Sequence, residues 1–194
     1  NITSYSAATL RSAYPNTIAA MRAAQNNGTL IIFIAHNWGR TQPNILGGLP
    51  YRITELADEW LTVVSVDSSL TETNYTNRCG VAADFCVTAP GGGDSQATDG
   101  ILAAEANGTY TRKSGTSMAA PHVTASIALL KQQFPNLTST QLVSLLTSTA
   151  TDLGDTGVDN VYGVGMINLN AASTPSGLSY ITASSANRLQ ANTN

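Results

Sequence analysis

Short, unbroken apolar runs alternate along this chain with stretches whose apolar residues return every three or four positions. Leu30-Ile31-Ile32-Phe33-Ile34-Ala35 is a run of branched residues, the pattern of a strand covered on both faces in a parallel sheet. Leu61 to Val66 and the shorter Phe85-Cys86-Val87 predict two more strands. Before the first run, Thr17, Ala20, Met21 and Ala24 mark one face of a helix over 17–26 that stops at Asn27-Gly28. A longer helix is predicted over 117–133, ending near Phe134-Pro135. Its alanines fall on several sides, so burial nearly all round is expected. Thr138 and Gln141 form a capping box opening another helix to about Ala150, with a stripe of Leu142, Leu145, Leu146 and Ala150. Residues 101–106 and 109–112 flank Asn107-Gly108, the signature of a two-residue hairpin turn. Helices alternating with buried strands predict an α/β fold with a mainly parallel sheet and flanking helices. That domain is expected to fill residues 1–171, and Ser, Thr and Asn mark 172–194 as a linker or tail.

Composition narrows the function more than the fold. Only 11% of the 194 residues are charged, the formal net charge is −3, and no basic run exceeds Arg112-Lys113, so nucleic acid is not an expected partner. No apolar stretch approaches the roughly 20 residues a membrane-crossing helix needs. Asn1-Ile2-Thr3-Ser4 lacks the basic start and apolar core of a targeting signal, which is therefore expected upstream if the protein is exported. Cys79 and Cys86 are too far apart in sequence for redox chemistry of the C-x-x-C type, and no histidine accompanies them as a metal ligand. A structural disulfide across a short loop and two buried thiols are the readings left open.

The chemistry concentrates in Gly115-Thr116-Ser117-Met118-Ala119-Ala120-Pro121. A serine in the first turn of a helix stands on a rigid element, beside free backbone N–H groups and the positive end of the helix dipole. Glycine two residues earlier permits close backbone approach, and Pro121 is expected in the opening turns, where a missing N–H matters least. Capping alone would explain a bare S-x-x-A; it does not require the seven-residue motif. That motif resembles the nucleophile segment of subtilisin-like serine proteases. Ile34-Ala35-His36-Asn37, Tyr75-Thr76-Asn77-Arg78, Ala89-Pro90-Gly91 and Tyr162 to Asn168 resemble further family segments, in family order over about residues 17–171.

The resemblance implies a serine endopeptidase acting on peptides or proteins, with Ser117 as nucleophile and Asn37 as an oxyanion-hole donor. It also implies that Ala35, His36, Gly115 and Thr116 border the substrate. Cys79-Gly80 and Cys86 are similar to the passengers of bacterial autotransporters, which implies the disulfide and a secreted or cell-surface location. His36 stands where the family usually has glycine, at the wall of the primary specificity pocket, a departure bearing on substrate preference.

A hydrolytic serine needs a base and an acid to orient it, and the family's preceding Asp and His segments are absent. His122 lies five residues beyond Ser117 on the same helix, about 140° away around it, and is expected to pack rather than react. His36 is expected to point away from Asn37, as neighbours on an extended strand do. Asp155-Thr156-Gly157 superficially matches an aspartic-protease motif but lacks apolar strand flanks. The expected reading is the C-terminal portion of the peptidase domain, with its N-terminal half as partner and the chain alone inactive. The alternative is a degenerate member serving as a binding or assembly module. No cofactor is expected; calcium is common in the family, but Asp94 and Asp99 in a glycine-rich loop make no recognisable ligand set.

Overall fold

The computed structural model describes residues 1–174. Three parallel strands, β1 (Ile31–Ile34), β2 (Trp60–Val66) and β3 (Cys86–Pro90), lie side by side in chain order. Ile34 pairs with Val63 and Val66 with Pro90, so all three strands end at one edge of the sheet. That edge is where an open α/β sheet gathers its ligands. Every residue of β2 is buried, as expected of a central strand.

Strand alternation splits the core into two layers. Leu61, Val63, Val87 and Ala89 face the helices α4 (Thr116–Gln133), α5 (Ser139–Ser148) and α6 (Leu169–Ser173). Trp60, stacked on Phe33 at 5.6 Å, faces α1 (Ala7–Ala13), α2 (Pro15–Asn26) and the short helical turns around Leu49, Ile53 and Leu56. A hairpin of β4 (Ile101–Ala104) and β5 (Tyr110–Lys113) stands largely in solvent.

Several expectations are corrected. The first apolar run is only half-buried at all four strand positions, because β1 is a sheet edge that, among the described residues, pairs with β2 alone. The opposite edge is covered: the 163–167 segment exchanges backbone hydrogen bonds with Cys86 and Thr88 of β3. Helix α4 is not buried all round. It hides Thr116, Ala119, Val123, Ser126 and Leu130, while Leu129 on the other side is 50% exposed. Pro121 is the sixth residue of α4, beyond the first turn, and deprives the Ser117 carbonyl of its i+4 donor.

Helix α2 starts at Pro15 rather than at 17, since a proline at N1 loses no hydrogen bond. Helix α1, capped by Ser6 on Thr9 N–H, was not legible from periodicity in so short a segment. The capping box of Thr138 and Gln141 is present, but α5 ends at Ser148, short of Ala150. The hairpin turn takes three residues, because Glu105 N–H bonds Thr109 C=O around 106–108; Asn107 and Gly108 still supply the positive φ angles. Helix α6 continues past 171 and buries Ala172. From 175 the expected tail lies outside the described residues.

Glu55 ties the α1–α2 layer together, accepting from Arg11 at 2.6 Å and Arg22 at 3.2 Å. Its own backbone N–H, and then the Arg11 guanidinium, hold its carboxyl below the usual carboxylate range. A depressed folded pKa gives stability that is present above the ordinary glutamate pKa and lost as pH falls through the folded value. The pairs are partly exposed, so Glu55→Gln is expected to cost no more than about 1 kcal/mol at pH 7. Urea titrations of the two proteins should converge below about pH 4; a gap unchanged at low pH would refute the ionic origin. In the other layer, Leu145→Ala is expected to lower stability by about 2–5 kcal/mol. Leu129→Ala, on the open face of α4, should change the thermal midpoint far less.

Candidate active site

Ser117 is the second residue of α4 and is exposed, while Gly115 and Thr116 before it are buried. Gly115 is the N-cap at φ +154, a conformation that side chains rarely adopt. A Cβ there would meet nothing closer than 3.5 Å, so backbone conformation, not the close approach expected from sequence, is what asks for glycine. Gly115 N–H bonds Gly91 C=O at 2.9 Å, which fastens the start of α4 to the end of β3. Close approach is the issue at Gly91 instead, where a Cβ would lie 2.1 Å from Ser65 Oγ.

Asn37 follows β1 and reaches the same helix start. Its Oδ1 accepts both the Thr116 N–H, at 2.8 Å, and the Thr116 hydroxyl, at 2.9 Å. A backbone N–H can only donate, so these bonds fix which end of the amide is oxygen. The Nδ2 end is left without an acceptor among the described residues, as is the Ser117 N–H. An exposed serine, a free backbone N–H and a side-chain amide anchored on the preceding residue thus belong to the positive end of one 18-residue helix. Such a place favours a developing oxyanion.

The remaining predicted residues divide. Ala35 is fully buried; its N–H bonds Val63 C=O and its C=O accepts from Asn44 N–H, so it stands behind the site. Of the four residues expected to border substrate, only His36 is partly exposed. It is not on an extended strand, so the expectation drawn from alternating faces does not apply. Its φ is +100, unusual for a residue with a side chain. Its Nδ1 accepts the Asn37 N–H at 2.8 Å and its ring stacks on Trp38 at 3.6 Å. His122 Nδ1 lies 2.9 Å from Met118 C=O on its own helix. Cys79 and Cys86 are joined as a disulfide. Asp94 is bonded to Asn74, and Asp99 Oδ2 accepts Ser68 N–H at 3.4 Å; among the described residues no cluster of three or more His, Cys, Asp or Glu is arranged for a metal.

Sequence reasoning placed Asn77 in a family-like segment but gave it no role. It is fully buried and clamps the loop after Asn37. Its N–H donates to His36 C=O at 2.8 Å, and its Oδ1 accepts from Trp38 N–H at 3.0 Å and Arg40 N–H at 3.2 Å. Its Nδ2 donates to Gln42 C=O at 3.1 Å. A polar residue that satisfies four backbone groups of one loop, three of them through its side chain, holds that loop in a single shape. The bidentate pair of Arg78 with Glu72, at 2.7 and 2.9 Å, steadies the segment carrying Asn77 and raises the Arg78 pKa further. Asn77→Ala is expected to cost about 2–4 kcal/mol, since it strands two donors and an acceptor. It should also loosen Trp38, seen as a drop in fluorescence anisotropy. An unchanged melt would rule the clamp out.

Known proteins resemble this chain over most of its length. The chain is 41% identical over 157 residues to serotype-specific antigen 1 of Mannheimia haemolytica, covering 80% of this chain and 17% of that protein. It is 34% identical over 174 residues to an extracellular serine protease of Serratia marcescens, covering 81% and 17%. To the autotransporter lipoprotein NalP of Neisseria meningitidis it is 30% identical over 167 residues, covering 76% and 14%. The chain therefore spans less than a fifth of these relatives. Among solved structures, the prenylagaramide maturation protease PagA shares the fold with a TM-score of 0.65 at 24% identity, over 80% of this chain and 53% of that one. The sequence profile of the subtilase family matches residues 1–165, and the chain belongs to that family.

Proposed function

We propose that this chain carries the nucleophile and the oxyanion-binding donors of a serine endopeptidase. The observation that supports this most is the bond from Thr116 N–H to Asn37 Oδ1, which ties the Asn37 amide to the residue before the exposed Ser117 and leaves its Nδ2 without an acceptor among the described residues. In this reading Ser117 Oγ attacks a peptide carbonyl carbon and its proton passes to a histidine from outside the described residues. The carbonyl oxygen becomes an oxyanion held by Ser117 N–H and Asn37 Nδ2–H. As the tetrahedral centre collapses, the C–N bond breaks, the amine leaves with the histidine's proton, and water then hydrolyses the acyl-serine.

Neither histidine of this chain is arranged to be that base: His36 Nδ1 accepts the Asn37 N–H, which leaves the proton of the neutral ring on Nε2, and His122 projects about 140° away from Ser117 around α4. The proposal accordingly includes a complementing N-terminal portion that supplies His and Asp. The open edge of β1 and the exposed side of α4 favour a partner there, because an unpaired edge seeks a strand and Leu129 seeks cover. Secretion or surface display, in the manner of an autotransporter passenger, is proposed from the disulfide and from the extracellular and autotransporter relatives. Among the described residues no helix is long and apolar enough to cross a membrane.

A fluorophosphonate probe tests the reading. Little labelling of the chain alone is expected, with labelling at Ser117 after mixing with a segment bearing the family's Asp and His. Asn37→Ala in the mixture should lower kcat by about 10²–10³, the loss known for such a donor in a subtilisin. No labelling in either state would overturn the peptidase assignment in favour of a binding module.

A further inference from the structure

Beside the candidate active site lies an open cleft of about 390 Å³, walled by His36, Trp38, Arg40, Asn44 and Ile45 among others, with no acidic residue in its lining. Arg40 is distinctive. Each of the other described Lys and Arg head groups donates to a carboxylate or to a backbone carbonyl. The Arg40 guanidinium has no such acceptor among the described residues and rests 4.8 Å from the centre of the Trp38 ring. It is a cation held in place but not neutralised.

The holding is rigid. Asn77 Oδ1 takes the backbone N–H groups of both Trp38 and Arg40, and Arg78 N–H bonds Arg40 C=O at 2.8 Å. Trp38 is in turn stacked by His36. An aromatic face keeps a guanidinium flat while leaving its N–H fork free for a planar carboxylate. The cleft also adjoins the nucleophile through one continuous set of contacts. His36 in its wall precedes Asn37, and Asn37 is bonded to Thr116, the residue before Ser117.

We infer that this cleft receives the carboxylate side chain of an Asp or Glu residue of the peptide substrate, with Arg40 as its specificity-determining partner. The inference rests on the endopeptidase reading for its substrate, but binding can be measured without turnover. The space suits one side chain and its flanking backbone, and a charge-assisted fork is the strongest single contact available to it.

The 194-residue chain would be titrated with capped short peptides identical except for one Glu, Gln or Lys, binding being read by calorimetry and by Trp fluorescence. The Glu peptide is expected to bind about tenfold more tightly than the Gln peptide at low salt. That advantage should shrink as salt screens it, vanish in Arg40→Gln, and persist in part in Arg40→Lys. Equal binding of Glu and Gln peptides, no binding of any, or a Glu advantage surviving Arg40→Gln would each overturn the inference. The Glu-to-Gln comparison in the unmodified chain decides the matter should a variant fail to fold. Probe labelling of Ser117 after mixing with the Asp- and His-bearing segment, measured in parallel, separates the two claims. Labelling without a Glu advantage removes the Arg40 cleft alone, and a Glu advantage without labelling in the mixture removes the serine chemistry alone.

Discussion

One side-chain oxygen joins the two elements from which the site is made. Asn37 Oδ1 takes two hydrogens from Thr116, which docks the end of β1 onto the first residue of α4. Without it the end of β1 and the start of α4 would lack their direct side-chain tie. The rest of the fold supplies what this contact needs. A fully buried β2 sets the height of β1, and Gly115 bonded to Gly91 sets the height of α4 against β3. The core between sheet and helices keeps all three strands under one helix.

The parts legible in the sequence were those fixed by local chemistry. Branched runs placed β2 and β3, the capping box placed α5, and the motif around Ser117 placed the start of α4 to within one residue. What was illegible depended on neighbours in space. Nothing in Ile31 to Ile34 says that one edge of that strand lacks a partner, so it read as fully buried. Alanines on several sides of α4 made the helix look enclosed, whereas its exposure is decided by what packs there. The role of Asn77 could not be read because its partners lie 35–39 residues away, in a loop with no regular pattern. Its buried polar character was the sole clue, and burial is not written in sequence.

His36 shows how a local anomaly can be both visible and misread. As a histidine in a place the family gives to glycine, it stood out, but its backbone was assumed extended. The φ of +100 retains the conformation a glycine would adopt while adding a ring to the surface. The ring is put to use as a stacking partner for Trp38 and an acceptor for Asn37 N–H, two contacts that offset backbone strain of the order of 1–3 kcal/mol. The departure from glycine thereby connects the site's backbone to the aromatic and cationic surface beside it.

Pro121 bears on how firmly Ser117 is seated. Because the sixth residue of α4 brings no N–H, the carbonyl of Ser117 loses its i+4 donor, and the opening turn is fastened from outside as well as by the Met118 and Ala119 N–H groups on Gly115 C=O. The anchors are the Asn37 and Gly91 bonds, contributed by the strand side of the molecule. Positional accuracy at Ser117 is therefore a property of the sheet as much as of the helix: a disturbance that shifts β1 or β3 is transmitted to that serine, while the remaining turns of α4 can stay wound.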